Sequence, residues 1–396
     1  MFETNLARNV WFAVGLTANL LVVSCGSSSS QQAVEEKAPE TTIIVPSSID
    51  AKLVNDAAHF LAGMPSGAGG AYHDLETSDA WADYSKGFDR TWAGDEKEQL
   101  IPVRAFAREH VQSGNTFLFY PFSGPDVLYA TQFFPNSTLY VLAGLEPVGN
   151  LPPPSAYNKD TLPAQLNGLS TGVKSLFRQS FFVTSEMHQH FAGSAPVADG
   201  LLPVILMLLA RTGHVIDGIQ VGGISLEGIF EAQAVSLPKH QAVELVFHAT
   251  AGGSRKTLYY VSTDLGSKYD PHKGFGKFVA SHGQHDTFIK SATYLLHWPQ
   301  FGTLRNHILE TSTLILQDDT GVPYKDLAQP PWQLKLFGQY SAPGNPFKKR
   351  YQKDLAEAFA EPANTHELGF AIGYGYHRRS SSLMLATRSI TTLTLP

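Results

Sequence analysis

The chain has 396 residues, of which 43% are hydrophobic and 11% aromatic, and its formal net charge is -6. The modest negative charge and the lack of a basic stripe along the sequence argue against nucleic-acid binding. Cys25 is the only cysteine, so the folded body has no disulfide framework, thiolate metal site or cysteine nucleophile. The length suits one large α/β domain or two closely packed ones.

An apolar stretch at residues 10–23 precedes the cysteine. It is too short to span a bilayer comfortably, and its length is typical of a signal-peptide core. Residues 22–26 (Val-Val-Ser-Cys-Gly) resemble a bacterial lipobox, in which an aliphatic and a small residue precede the cysteine. The resemblance implies a signal peptide over 1–24, cleavage before Cys25 and diacylation of its thiol. The alternative is an ordinary signal peptide or a short membrane anchor.

The segment after the signal peptide is small, polar and charged. Residues 25–50 hold too little apolar surface to offset the entropy of ordering, which predicts a lipidated Cys25 followed by a flexible tether. Gly26 stands where an aspartate would indicate retention in the inner membrane. We therefore expect a lipid-anchored protein of the bacterial cell envelope, with the outer membrane favoured and the body on its periplasmic side or surface.

Helices and strands are predicted to alternate from residue 49 onward. Apolar spacing close to 3.6 residues predicts helices over 49–60, 79–108 (divided at Pro102), 162–183, 200–212, 275–283, 287–297, 302–311 and 348–359. Short apolar runs bounded by turn residues predict strands over 116–122, 139–145, 214–224, 242–249, 256–263, 313–317, 332–337 and 368–374. The alternation predicts a single α/β domain over 51–396, with a three-layer Rossmann-like sheet and helices on both faces. A Gly-Gly-Ser-Arg turn at 252–255 makes part of this mixed sheet antiparallel.

The stretch 116–149 is the predicted centre of the domain. An aromatic run ends in a Gly/Pro turn, a short helix-like segment follows, and a second apolar run ends at Glu146 before another Pro/Gly turn. This pattern predicts a strand–helix–strand unit with two parallel, adjacent strands and a ligand-sized opening at its turn.

Three short motifs carry a family resemblance. Residues 120–126 (Tyr-Pro-Phe-Ser-Gly-Pro-Asp), 144–149 (Gly-Leu-Glu-Pro-Val-Gly) and 317–323 (Gln-Asp-Asp-Thr-Gly-Val-Pro) resemble those of a group of uncharacterised bacterial secreted proteins. The resemblance covers most of residues 50–396. It brings no assigned activity, and therefore no catalytic residue is carried over from it.

The first candidate ligand site joins the ends of the two central strands. Ser123, Gly124 and Asp126 follow the first strand, and Glu146 follows the second, where nucleotide and S-adenosylmethionine binders place an acid. The glycine fingerprint is missing, and Pro125 removes a backbone donor that a phosphate would need. A structural turn with Asp126 as the helix N-cap is the competing interpretation.

A second candidate site lies at the end of a later strand. Asp318 and Asp319 follow an apolar run and precede Gly321 and Pro323. Paired carboxylates at such a position bind a cation, share a proton or satisfy the backbone of a tight turn. On the predicted helices nearby, Lys290 and Arg305 are expected to be solvated or ion-paired.

Catalytic interpretations have weaker support. Ser123 lies on a strand-to-helix turn, but the G-x-S-x-G elbow is absent and no histidine partner can be assigned from spacing. Histidines occur in two short clusters, Glu186-x-His188-x-His190 and His282-x-x-His285, which supply ligands for a divalent ion only if they meet in space. Local hydrogen bonding is the simpler role for them, so no metal site is predicted.

The functional prediction is a lipid-anchored envelope protein that binds a small ligand or an envelope component. Its expected partners are the membrane, through Cys25, and a small molecule, but no nucleic acid. The alternatives are an exported hydrolase that uses Ser123 or a histidine-bound metal and, below it, a degenerate methyltransferase-like domain. The sequence predicts no particular cofactor.

Overall fold

A computed structural model describes residues 49–158, 160–179, 200–233, 241–375 and 381–388, without the side chains of 172–179 and 345–346. The predicted signal peptide, Cys25 and almost all of the tether lie outside the described residues. So do Glu186, His188 and His190. Within the described residues, no helix is both long enough and apolar enough to cross a membrane.

The helices and strands alternate along the described chain. The α-helices are α1 (Ala51–Leu61), α2 (His73–Glu76), α3 (Asp79–Asp95), α4 (Ile101–His110), α5 (Val127–Phe133), α6 (Leu162–Gln179), α7 (Leu202–Arg211), α8 (Gly274–Ser281), α9 (Gly302–Thr311), α10 (Tyr324–Leu327) and α11 (Lys353–Ala360). The strands are β1 (Phe117–Pro121), β2 (Leu139–Gly144), β3 (His214–Ile224), β4 (Phe230–Ala232), β5 (Ala242–Ala249), β6 (Lys256–Ser262), β7 (His285–Ile289), β8 (Ser312–Gln317), β9 (Trp332–Gly338), β10 (Thr365–His366) and β11 (Ser382–Arg388).

All of these strands belong to one mixed sheet, in the order β10-β9-β11-β8-β7-β1-β2-β6-β5-β3-β4. Its centre, β6-β2-β1-β7-β8, is parallel throughout. Numbered by their place in the chain, these central strands have the order 3-2-1-4-5, so the strand order reverses between β1 and β7. Antiparallel strands extend the sheet on both sides, with β5 beside β6 and β11 inserted between β8 and β9. The predicted mixed α/β fold is therefore confirmed.

The predicted strand–helix–strand order and parallel pairing of the central unit are confirmed. β1 and β2 run parallel, with Phe117 opposite Leu139 and Pro121 opposite Ala143. Every β1 side chain is buried, because helices cover both faces of the sheet. The predicted hairpin between β5 and β6 is likewise present.

Helices cover both faces of the sheet. Because successive side chains of a strand alternate between its faces, Leu118 and Tyr120 pack into a core with α1, α3, α5 and α7. Phe117 and Phe119 pack into a second core with α8 and α9. The parallel centre is thus buried on both faces, and its connecting segments meet at the carboxyl-terminal edge.

Three predicted elements are wrong. Residues 287–297 are not helical, because His285–Ile289 forms the central strand β7 and is followed by a short 3-10 turn, Leu295–His297. Residues 368–374 are not the last strand; that strand is β11, which the sequence analysis missed. The helix over 79–108 is not broken at Pro102 either. A π-helical turn, Glu96–Leu100, joins α3 to α4, and Pro102 lies in the first turn of α4, where its missing N–H is tolerated.

Candidate functional site

The carboxyl ends of the parallel strands bring several predicted site residues to one edge. The Ser123 backbone N–H donates to the Ala143 carbonyl oxygen at 3.0 Å, which joins the ends of β1 and β2. The Asp318 backbone N–H donates to the Ile289 carbonyl oxygen at 3.2 Å, which joins the ends of β8 and β7. This edge contains the reversal of strand order, where open α/β sheets bind ligands.

Asp126 is the N-cap of α5, as the competing interpretation held. Its Oδ1 accepts from the Tyr129 backbone N–H at 3.1 Å, and its Oδ2 accepts from the Tyr120 hydroxyl at 2.8 Å. The same Oδ2 lies 2.7 Å from the Lys290 ammonium, and both side chains are almost completely buried. Asp126 therefore has a structural role, and a ligand would not easily replace these partners.

Lys290 provides the positive charge at the strand crossover. It follows β7 directly and is 3% exposed. Its ammonium also lies 3.9 Å from the centre of the Tyr129 ring, a cation–π contact. Burial lowers the pKa of Lys290, whereas the carboxylates of Asp126, Asp318 and Asp95 oppose that shift. The predicted helical position was wrong, although the predicted ion pair is present.

Asp318 and Asp319 are buried and point to different partners. Asp318 accepts from the backbone N–H groups of Thr320 (2.9 Å) and Ser291 (2.8 Å), as a turn-forming aspartate does. Asp319 accepts from the hydroxyls of Tyr294 and Ser382. Burial raises the pKa of both carboxyls, and the neighbouring Asp319 raises that of Asp318 further. The Asp318 charge thus acts on Lys290, whereas Asp319 bonds to Ser382, the first residue of β11.

Asp95 is a site residue that the sequence analysis missed. The π-helical turn begins directly after it, and such turns often occur at functional sites. Its side chain is 8% exposed, and its Oδ2 has no hydrogen-bond partner among the described residues. Burial, followed by the charge of Glu96, raises the pKa of Asp95 to about 7, while Lys290 opposes the shift. The sequence offers no local signal, because Asp95 lies about 200 residues before Lys290 in the chain.

Backbone strain is concentrated at the same edge. Among the described residues, the non-glycine residues with a left-handed backbone are Phe122, with φ of 60°, and Ser291, Thr293 and Tyr294, with φ of 54°, 54° and 56°. Phe122 follows β1 and the other three follow β7, the strands between which the order reverses. Each such residue costs about 1–3 kcal/mol, and strain of this kind clusters at ligand sites. The hydroxyl of Ser291 is buried without a partner in the described part of the chain.

Glu146 and Gly124 meet at the end of β2. A Cβ atom placed on Gly144 would lie 2.6 Å from Glu146 Oε2 and 3.6 Å from the Gly124 backbone nitrogen. A side chain at position 144 would therefore displace the Glu146 carboxylate from the strand end. Glu146 is partly exposed, so it borders the rim of the edge, whereas Asp126, Lys290 and Asp318 lie beneath the surface.

Ser123 and the described histidines do not form the catalytic groups considered from the sequence. The Ser123 hydroxyl lies 3.0 Å and 3.3 Å from the carbonyl oxygens of Gly124 and Ala143, and no described histidine is bonded to it. His282 follows α8 and His285 begins β7, so the two do not share a helix turn. Both pack on Phe117 at the opposite edge of the sheet. The described residues contain no group of three or more metal-ligating side chains able to hold an ion.

An open depression of about 660 Å³ lies in the loop that leaves β6. Residues 267–273 and Thr303 line it, and none of Asp126, Glu146 and Asp318 does. The predicted opening at the turn after β1 is therefore not this depression.

No protein-family model, curated protein or solved structure matches the chain.

Proposed function

We propose that this chain is a cell-envelope protein that binds a small polar ligand at the carboxyl edge of its parallel strands. The observation that carries the proposal is the strained backbone after β1 and β7, which lies beside buried polar atoms without partners. Strain and unsatisfied oxygens both cost free energy. Their coincidence at the strand crossover is what a preorganised binding site requires.

The polar atoms at this edge indicate the chemistry of the ligand. Asp95 Oδ2 and the Glu146 carboxylate accept hydrogen bonds, and the Ser291 hydroxyl can both donate and accept. A complementary ligand therefore offers hydroxyl or amine donors. The buried Asp126–Lys290 pair holds the two strand ends in place rather than contacting the ligand.

Ligand-induced stabilisation tests this proposal with Glu146→Gln and Ser291→Ala. A bound ligand raises the unfolding free energy by RT ln(1 + [L]/Kd), so a panel of sugars, nucleosides and amino acids can be screened by thermal unfolding. We expect at least one compound to stabilise the chain. In either variant, the Kd obtained from the concentration dependence of this stabilisation should rise about tenfold or more. Glu310→Gln, an exposed acid near the end of α9, should leave binding unchanged. Binding that is equal in all of the variants would contradict the proposal.

A methyltransferase-like domain is the second candidate. The 3-2-1-4-5 order of the parallel strands and the acid after the second strand support it, although the fold alone assigns no activity. S-adenosylmethionine and S-adenosylhomocysteine belong in the same panel for this reason. If both compounds stabilise the unaltered chain and neither stabilises Glu146→Gln, the result would support a methyltransferase-like domain. A response to other compounds alone would set it aside.

The third candidate, an exported hydrolase, has less support. Its nucleophile would be Ser123, whose hydroxyl faces backbone carbonyl oxygens, so it lacks the base that activates a serine. A metal centre would need His188 and His190, which lie outside the described residues.

Lipid anchoring through Cys25 remains part of the proposal, and the lipobox supports it. We expect Cys25→Ser to abolish incorporation of labelled palmitate and to move the protein from the membrane fraction to the soluble fraction. Ser28→Ala, in the tether, should change neither. A Cys25→Ser protein that stays in the detergent-soluble membrane fraction would count against the anchor.

A further inference from the structure

A second charged region lies on the same edge of the sheet, outside the site proposed above. His297, Trp298, Arg305, Lys325 and Arg350 form it, and we call it the His297 patch. These residues come from the segment after β7, from α9, from α10 and from a 3-10 turn, Asn345–Arg350. The segments are distant in sequence and meet where the connections of the carboxyl edge converge.

Direct contacts hold the patch together. The guanidinium of Arg350 lies 3.8 Å from the centre of the Trp298 ring, and Trp298 is 44% exposed. Arg305 Nη1 donates to the Leu296 carbonyl oxygen at 2.8 Å, which places that cation beside His297. The Nε2 atom of His297 is buried and has no hydrogen-bond partner among the described residues. Two guanidinium groups are thus held in place around a polar atom that lacks a partner.

The charges of the patch are not balanced locally. Asp326 pairs with Arg305 at 3.6 Å, whereas Lys325 and Arg350 act on His297 as further positive charges. This local excess occurs in a chain whose formal net charge is -6. Burial, Arg350, Arg305 and Lys325 together lower the pKa of His297 to about 4, against an opposing backbone hydrogen bond. The imidazole is therefore neutral near pH 7, and because its one N–H bonds to the Gly321 backbone, Nε2 is left as a hydrogen-bond acceptor.

A solvated basic surface is the simpler interpretation, and two features argue against it. Isolated surface charges are long, mobile side chains that gain little from fixed geometry. Here the Arg350 guanidinium lies over an exposed tryptophan ring, and this contact restricts the orientation of its donors. The buried and unpartnered nitrogen of His297 also costs free energy unless a ligand or water satisfies it.

We propose that the His297 patch binds a phosphate group, either as a free anion or as the headgroup of an anionic lipid. Arg350 and Lys325 supply charge-assisted hydrogen bonds to phosphate oxygens, and Arg305 adds a fixed positive charge. The unprotonated Nε2 of His297 can accept a hydrogen bond from a hydroxyl of the phosphate or of a lipid headgroup. This inference does not depend on a ligand bound beside Glu146 and Ser291.

The test compares two double variants of the full chain that remove the same charge. Lys325→Gln/Arg350→Gln alters the patch, and Lys86→Gln/Arg90→Gln removes two exposed cations from α3. The probes are inorganic phosphate, followed by calorimetry, and phosphatidylcholine vesicles with or without phosphatidylglycerol, followed by cosedimentation. Only the vesicle-bound fraction that high salt releases is counted, because acyl anchoring is insensitive to salt and charge pairing is not.

We expect the patch variant to bind phosphate at least about tenfold more weakly than the unaltered chain, and the α3 variant to bind normally. If phosphate competes with phosphatidylglycerol vesicles, the free anion and the lipid headgroup both bind at the patch. If only one probe binds, that probe identifies whether the ligand is the free anion or the headgroup. Lys325→Arg, which keeps the charge, should retain binding. If the double variant does not fold, Lys325→Gln alone carries the same expectation. The proposal is overturned if neither probe binds, or if both double variants lose binding equally.

Discussion

Replacing Lys290 by methionine is expected to lower the free energy of unfolding by about 3–5 kcal/mol. The substitution keeps much of the side-chain volume but leaves the Asp126 carboxylate buried without its ammonium partner at 2.7 Å. Urea unfolding at neutral pH measures the loss, because it gives the free energy directly. A loss of this size would identify the pair as the structural centre of the strand crossover.

Two comparisons separate charge from packing. In Lys290→Met/Asp126→Asn both charges are absent, so we expect the double variant to recover a large part of the lost stability. Lys353→Met breaks the exposed ion pair with Glu357 and should cost at most about 1 kcal/mol. If Lys290→Met cost no more than Lys353→Met, the buried pair would not hold the strand ends together.

The second large effect is on the pH dependence of stability. Asp95 has a pKa of about 7 in the folded protein, above its ordinary value of 3.8. Between these values the folded state binds more protons at this carboxyl than the unfolded state does, so its contribution to stability falls as the pH rises. Asp95→Asn mimics the protonated form and removes that loss. We therefore expect the variant to match the unaltered chain only below about pH 3.8 and to exceed it by a few kcal/mol near pH 8.

The comparison between variants matters because buried histidines act in the opposite direction. Burial lowers the pKa of His214 and His285 to about 4, so their contribution to stability rises with pH over the range below about 6.5. Both chains contain these histidines, and their effect cancels in the difference. Denaturant unfolding at several pH values gives that difference. A constant difference across pH 5–8 would mean that Asp95 has an ordinary pKa.

The central unit could be predicted from sequence because its signals are local. Aromatic strand residues, a Gly/Pro turn and the Asp126 cap all lie within a short segment of the chain. The parallel pairing of β1 and β2 follows once a helix is known to connect them. The meeting of Gly124 and Glu146 then follows, since both residues lie at carboxyl ends of adjacent strands.

The rest of the site depends on contacts between distant segments. The sequence predicts a helix over 287–297, where β7 ends, because polar residues interrupt the apolar run of that strand. In the fold, Thr287 bonds to Ser312 at 2.7 Å, and Asp286 accepts from Thr313 at 3.0 Å, which makes their burial tolerable. β11 contains few β-branched residues and exists because it pairs between β8 and β9, so its tertiary context outweighs local propensity. Neither effect can be read from local sequence patterns.

The carboxyl edge combines a rigid base with a polar rim. The buried pair of Lys290 and Asp126 fixes the positions of β1 and β7, while Glu146 and Ser291 remain partly exposed above it. Because the buried pair maintains the fold, a ligand can bind to and leave the partly exposed residues without unfolding the strand ends. It also explains why we expect rim substitutions to change binding and base substitutions to change stability.

Crystal soaking with a library of small polar fragments tests the proposed ligand site most directly. The account predicts that hydroxyl- and amine-bearing fragments occupy the edge between Gly124, Glu146 and Ser291, with hydrogen bonds to the last two side chains. Fragments bound only elsewhere on the protein, with this edge left to ordered water, would contradict it.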